Sequence, residues 1–396
     1  NTINKTKQYL KNDGKNIYLN SENEFVYNSK QIENWKIEAD RFEYNPLISI
    51  IVPVYNTPLN VLQEMVNSVI DQIYTNWELC IVNASIDNRE LVNVLNTYKS
   101  NEKIKIIDLK ENGGISNNTN YGIIKAKGEF IALLDHDDTI TKNALFEVVK
   151  KLQDESDRYD FFYSDKDMMD EEGKKHFNSL YKPKWSPEIM YSANYLTHFC
   201  VIRKSIIEKV GYFDSETDGA QDWDMFIKVT EVTDKICHIP KILYNWRILS
   251  TSVASGIDAK PYALEAQLKT INNHLLREKI NAKASFNNRE LSIIKIDYTI
   301  PKDFKLSIII NDNGTNRELR QLIKTIVESN IKIEKEILVL SNKKSENNLE
   351  LKNVRFIQCD SNDYWIAYQL GAEQCTGDTI IFIDSKIKID KNIILE

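Results

Sequence analysis

Residues 126–138, AKGEFIALLDHDD, run from a polar turn through a short apolar stretch into a knot of acid. Residues 129–134 have the length and apolar continuity of a strand buried on both faces, and Asp135, Asp137 and Asp138 crowd its carboxyl end. Three carboxylates packed this closely repel one another unless a cation or cationic ligand neutralises them, and an oxygen-rich set of this kind suits Mg²⁺ or Mn²⁺. Taken alone, a DxDD is equally an acidic turn solvated after a core strand. The flanking sequence has to decide.

Upstream, residues 47–52 (LISIIV) read as a buried strand, followed by the loop PVYNTP. Thr57 is placed to cap a helix with Pro58 at its first position, and Val61, Leu62, Met65, Val66, Val69 and Ile70 recur on one face. Residues 78–82 (ELCIV) form a second strand leading into Asn83, Ala84 and Ser85, then a helix over about 89–98. Residues 104–107 form a third strand, followed by Asn112, Gly113, Gly114 and a helix to about residue 126. The acidic strand is therefore the fourth of an alternating series. This predicts an α/β fold with a mostly parallel sheet and helices on both faces. In such sheets a ligand lies beyond the carboxyl ends of the strands, where the aspartates sit.

Downstream the alternation loosens. Thr141 is placed to cap the helix KNALFEVVKKLQ; residues 160–164 (DFFYS) and 200–203 read as strands, and 182–195 as an aromatic-rich loop. Residues 214–224 open a further helix, where Asp222 and Asp224 also have an ordinary reading as carboxylates favoured by the helix dipole.

The last quarter repeats the first. LSIII at 306–310 echoes LISIIV, EILVL at 336–340 echoes ELCIV, and TGDTIIFIDS at 376–385 echoes KGEFIALLDH. Setting Gly377 on Gly128 places Asp384 on Asp135 but Lys386 on Asp137 and Ile387 on Asp138. The expected organisation is an arm over 1–45, a full domain over 46–285, a linker over 286–303 and a partial, degenerate second copy over 304–396.

Composition narrows the function. Hydrophobic residues make up 42% and aromatics 10% of 396 residues, enough for sizeable cores, and no run approaches the roughly 18–20 apolar residues that span a bilayer. The opening residues lack the apolar core of a signal peptide. A formal charge of −7 with acid and base interleaved argues against nucleic acid as a partner. Five scattered cysteines without a CxxC pair indicate reduced thiols in a cytoplasmic protein. A sugar-phosphate nucleotidyltransferase would need a glycine-rich, basic loop where PVYNTP stands, and no GxGxxG suggests a dinucleotide oxidoreductase.

The ordered set PVYN (53–56), ELCIVNAS, ENGGIS, GEFIALLDHDD, YSDKD, KPKWSPE, NYLTHF, GAQDWD and HIPKILYNWR resembles the family 2 glycosyltransferases. It is nearest to bacterial enzymes with tandem catalytic-type domains that build surface polysaccharides or glycosylate proteins. The resemblance spans about residues 46–285 and returns more weakly from 304 onward. It implies the GT-A fold, a nucleotide-sugar donor such as a UDP-sugar, a glycan or glycoprotein acceptor, and Mn²⁺ or Mg²⁺. With the cytoplasmic location read from the cysteines, the inner face of the membrane stays open as the place of action, as do peripheral membrane or homo-oligomer contacts.

Residue by residue, the resemblance implies that Pro53, Tyr55 and Asn56 line a nucleobase pocket, with Asn83, Ser85, Gly114 and His136 in donor contact. Asp135 reaches the ribose or the metal, Asp137 ligates the metal, and Asp138 supports the pair. Asp222 is the general base of an inverting transfer, Trp246 and Arg247 lie near the diphosphate, and Trp185, His198, Gln221 and Trp223 shape the sugar and acceptor pockets. Two positions depart from the pattern. Asn83-Ala84-Ser85 replaces the adjacent aspartates usual after the second strand, and Asn245 stands where many relatives carry a histidine. These departures, with the degenerate second copy, motivate an alternative: a non-catalytic nucleotide-sugar or glycan-binding scaffold for a partner glycosyltransferase.

Overall fold

A computed structural model of the chain describes residues 18–19, 25–153, 159–249, 261–288, 293–329, 333–342, 353–360 and 363–389. Much of the expected arm at 1–45 lies outside these residues. The chain divides into two compact units, Asn1–Tyr298 and Thr299–Glu396.

In the first unit, the strands β1 (Tyr18–Leu19) and β2 (Phe25–Val26) pair antiparallel, and α1 (Ser29–Ala39) follows. The central strand β3 (Ile48–Val54) is almost wholly buried, as its Ile/Val-rich run, interrupted by Ser49 and Pro53, requires of a strand covered on both faces. Around it the alternation expected from sequence is realised as α2 (Leu59–Ile70), β4 (Trp77–Asn83), α3 (Arg89–Thr97), β5 (Ile104–Asp108), α4 (Ile115–Lys125) and β6 (Phe130–Leu133). β5, β4, β3 and β6 are parallel neighbours in that order. α2 buries Val61, Leu62, Met65, Val66 and Val69, the face its spacing specifies. Two caps differ from expectation. Pro58 itself occupies the N-cap of α2 while the Thr57 hydroxyl is buried without a partner among the described residues, and Asn143, not Thr141, precedes α5 (Ala144–Lys151). Thr141 instead donates to the Asn143 side chain at 2.9 Å.

Beyond β6 the sheet turns mixed. β7 (Thr139–Ile140), β8 (Phe161–Met169), β9 (His176–Leu180), α6 (Pro187–Ser192), β10 (Cys200–Arg203), α7 (Lys204–Val210), α8 (Gln221–Thr230) and β11 (Ile236–Arg247) complete it. β10 enters antiparallel between β6 and β8, β11 runs parallel to β8, and β7 closes the far edge. The register of β11 slips between Ile239 and Ile242, around Pro240, which has no N–H for the ladder. That slip sets which side chains of the last four residues of β11 face the aspartates.

α9 (Pro261–Arg277) carries the chain to a hairpin of β12 (Ala282–Asn288) and β13 (Ile293–Tyr298). The linker expected at 286–303 is thus partly strand. Ala284, Phe286, Ile294 and Ile296 alternate with polar residues and pack into the core of the first unit.

The second unit has a parallel sheet of β14 (Lys305–Asn311), β15 (Glu334–Ser341), β16 (Val354–Gln358) and β17 (Thr379–Asp384), with α10 (Asn316–Val327) and α11 (Tyr364–Gln374). Its order, β16-β15-β14-β17, is that of β5-β4-β3-β6. Among the described residues no helix is long and apolar enough to cross a membrane.

Candidate active site

The acidic loop is held from beneath by the end of β11. Asp138 is 1% exposed; its Oδ2 accepts from the Tyr244 hydroxyl at 2.6 Å and its Oδ1 from the backbone N–H of Arg247 at 2.7 Å. Arg247 is fully buried. Its Nε donates to the carbonyl of Asp137 at 2.8 Å, and its two terminal nitrogens donate to the carbonyl of Glu171 at 2.9 Å and to Glu64 Oε2 at 2.6 Å. Gly173, at φ +68°, makes room for this guanidinium: a Cβ there would lie 2.8 Å from one of its nitrogens. With Asp138 consumed in the support, Asp135 and Asp137 face the rim.

The rim is electrostatically tight. Burial lifts the Asp135 carboxyl to about 7, with Asp137 and Asp222 adding to the rise and Lys166 opposing it. Its side chain stays 42% open to solvent. Asp138 is pushed up by burial, then by Asp135 and Asp137. His198 Nε2 stands 3.7 Å from Asp135 Oδ2, and its ring stacks on Tyr244 at 4.8 Å. Burial, with Lys166 and Lys182, holds this imidazole far below its usual pKa and therefore neutral. His136 Nδ1 is buried without a hydrogen-bond partner among the described residues, 3.9 Å from Asp137 Oδ1.

Asp222 lies in the first turn of α8, within the field of Asp135. Its Oδ1 accepts from the Trp223 N–H at 2.8 Å, and the Asn194 side chain also bonds the carboxylate. Burial raises its pKa, against those hydrogen bonds and Lys166. Asn194 and Lys166 were not singled out from sequence, although NYLTHF and YSDKD contain them. Lys166 is 7% exposed, with its ammonium 4.0 Å from the centroid of the Trp246 ring. Its signal was a lysine between two aspartates on a strand that otherwise reads as core.

The remaining positions fall into two groups. Tyr55 is 51% exposed beyond β3, beside Asn56, which adopts φ +50° and donates its N–H to Ser85 Oγ at 2.8 Å. Gly114, at φ +86°, opens α4 where Ser116 bonds Asp218, and Gln221 Oε1 accepts from the Gly219 N–H at 2.8 Å. Others are turned inward. Asn83 is fully buried, donating to Asp108 Oδ1 at 2.8 Å and accepting from the Ser85 N–H at 3.0 Å, so both its polar edges are spent on the loop. Trp223 is 3% exposed with its indole N–H on the Met190 carbonyl at 2.8 Å, which makes it a core residue where a pocket wall was expected. Arg247, expected at a diphosphate, has its guanidinium committed to protein acceptors. Trp185 packs partly buried against the core. Asn245 donates to Asp167 Oδ1 at 2.7 Å, and Asp167 Oδ2 pairs with His176 Nδ1 at 2.9 Å.

Among the described residues no three His, Cys, Asp or Glu side chains converge as a ready-made metal site. Two neighbouring carboxylates, of which Asp137 raises the proton affinity of Asp135, fit a hard divalent cation all the same. Mg²⁺ in particular binds through one or two carboxylates and completes its shell with substrate phosphates and water.

Residues 49–211 match the family described as Glycosyl transferase family 2. Those residues carry a family 2 glycosyltransferase domain. The chain is 38% identical over 240 residues to uncharacterized protein y4gI of Sinorhizobium fredii, covering 60% of this chain and 26% of that protein. It is 31% identical over 339 residues to the hyaluronan synthase of Pasteurella multocida, covering 80% of this chain and 34% of that one. The crystal structure of S. aureus TarS 1–349 in complex with UDP-GlcNAc aligns over 58% of this chain and 66% of its own, at 20% identity and a TM-score of 0.48. The chain thus spans about a quarter to a third of the two sequence relatives' length.

Proposed function

We propose that the first unit transfers a sugar from a nucleotide-sugar donor, a UDP-sugar, to a hydroxyl of a glycan or glycosylated-protein acceptor, with inversion at the anomeric carbon. The observation that carries this reading is the opposition of two kinds of carboxylate in one recess. Asp135 and Asp137 sit on the sheet rim, and Asp222 faces them from the start of α8, near enough to raise the proton affinity of Asp135.

In this reading Asp137 and Asp135 hold Mn²⁺ or Mg²⁺, which when bound supplies Lewis acidity to the departing nucleoside diphosphate. Tyr55 and Asn56 receive the nucleobase. Asp222 takes the proton of the acceptor hydroxyl as its oxygen bonds to the anomeric carbon and the bond from that carbon to the diphosphate breaks on the opposite face, which inverts the configuration. A carboxylate whose proton affinity is raised by burial suits this role, worth about 10²- to 10⁴-fold. Asn194 and the Trp223 N–H aim the carboxylate. Likeness to a hyaluronan synthase supports a glycan product.

For the second unit we propose a non-catalytic role. Asp384 Oδ2 accepts from Asn313 Nδ2 at 2.5 Å and Oδ1 from the Lys386 N–H at 3.0 Å, so the remaining rim carboxylate is internally satisfied.

Isothermal titration with UDP, with and without Mn²⁺, tests the donor site. Metal-dependent binding lost in Asp137→Ala, and UDP-sugar turnover lost in Asp222→Asn with UDP binding retained, are the expected results. Absence of UDP binding under every metal would overturn the UDP-sugar assignment.

A further inference from the structure

Two lysines are buried near the recess, and they differ in one respect. Lys182 donates from its ammonium to the carbonyls of Leu196 at 2.9 Å and His198 at 2.7 Å, so it is spent on the backbone. Lys166, 7% exposed, has no hydrogen-bond acceptor among the described residues; its ammonium rests on the face of Trp246 at 4.0 Å. A buried ammonium with unused N–H donors is costly unless something completes its shell.

The surrounding charges say what that something is. Asp138, Asp222 and Asp135, in that order of strength, act on Lys166. Asp138 is excluded as a direct partner, because its two oxygens already accept from Tyr244 and Arg247. Asp135 and Asp222 flank the cleft through which donor and acceptor must pass in the reading above. The ammonium is also held in place. Lys166 is paired across β8 to Tyr244 of β11 on one side and Leu180 of β9 on the other, and the ring of Trp246 limits its swing. The proposed donor brings a diphosphate, which four carboxylates repel, and it leaves with more charge than it arrived with. A fixed cation facing that group offsets the repulsion on binding and stabilises the leaving group.

We propose that Lys166 donates to a non-bridging oxygen of the donor's diphosphate, as a tethered cation complementary to the divalent metal. This rests on the nucleotide-sugar reading of the same site.

The test is titration of the wild type, Lys166→Met and Lys166→Arg with UDP and with uridine, each in Mn²⁺ and in EDTA, with thermal melting to confirm folding. In Mn²⁺, Lys166→Met is expected to weaken UDP by about tenfold or more, the loss of one charge-assisted hydrogen bond, with any residual affinity in EDTA falling in the same direction. Uridine affinity is expected to stay unchanged and Lys166→Arg to recover most of the loss. Should Lys166→Met melt early, Lys166→Gln removes the charge while keeping a hydrogen-bonding side chain. Unchanged UDP affinity in a folded, charge-removed variant overturns the proposal, as does an equal loss for uridine, which would place the effect on the nucleoside. Failure of the wild type to bind either UDP or uridine sinks the nucleotide-sugar reading itself, and this proposal with it.

Discussion

The Tyr244 hydroxyl donates to Asp138 Oδ2 at 2.6 Å, while the same oxygen accepts from the backbone N–H of Asp135 at 3.3 Å. One phenol therefore joins both ends of the acidic loop to β11. Tyr244→Phe keeps the ring and its stack on His198 but leaves a buried carboxylate oxygen short of a donor. A loss of about 1–3 kcal/mol in denaturant stability is expected. If the loop also loses its shape, metal-dependent UDP affinity falls with it; unchanged values of both would show that the bond is idle.

Arg247 distinguishes support from substrate contact. Because its guanidinium reaches Glu64 and two carbonyls from a fully buried position, Arg247→Met should destabilise the first unit by about 3–5 kcal/mol. Arg247→Lys should recover little, since one ammonium cannot span three acceptors held in a fork. Normal stability with a selective loss of UDP affinity would instead restore the diphosphate role expected from sequence.

Lys182 gives a pH signature. Burial lowers its pKa to about 7, below the ordinary lysine value of about 10.4 in an unfolded chain. Between those values the native state holds fewer protons than the unfolded state. Its cost is full below pH 7 and disappears as pH rises toward the unfolded value, so stability gains with pH across that window. In Lys182→Met this contribution is absent. The wild-type minus variant difference in unfolding free energy should be flat below pH 7 and climb from pH 7 to 10; a flat difference throughout would place the lysine's pKa in its ordinary range.

The two units share a bond that predicts paired behaviour. Ser49 Oγ donates to Glu78 Oε1 at 2.6 Å and accepts from the Gly128 N–H at 2.8 Å; Ser307 Oγ donates to Glu336 Oε1 at 2.7 Å and accepts from the Gly377 N–H at 2.9 Å. Ser49→Ala should speed amide exchange at Gly128 by about tenfold, one ordinary hydrogen bond, and Ser307→Ala should do the same at Gly377. Gly128→Ala and Gly377→Ala should cost more, because each Cβ would come within 2.5 Å of the serine oxygen. An effect in one unit without the other would break the equivalence.

The sequence by itself determined the order of strands and helices as far as β6, the buried face of α2, the acidic strand end and the repeat in the last quarter. These are local matters: apolar spacing of 3.6 or 2 residues and short apolar runs state which face is covered, whatever the neighbour. What tertiary structure decided is which polar residues are available. Asp138 and Arg247 lie 109 positions apart and meet only through the register of β11. That register slips at Pro240, so counting from YNWR alone could not show that Arg247 turns inward. Trp223 and Asn83 likewise stand inside motifs that suggested ligand contact, yet their polar atoms are consumed by a carbonyl and a neighbouring side chain. Lys166 is the converse, a charge on a strand that reads as core. Only the convergence of β6, β8, β11 and α8 gives it carboxylate neighbours and leaves its donors unused, because burial and hydrogen-bond satisfaction belong to the assembled chain.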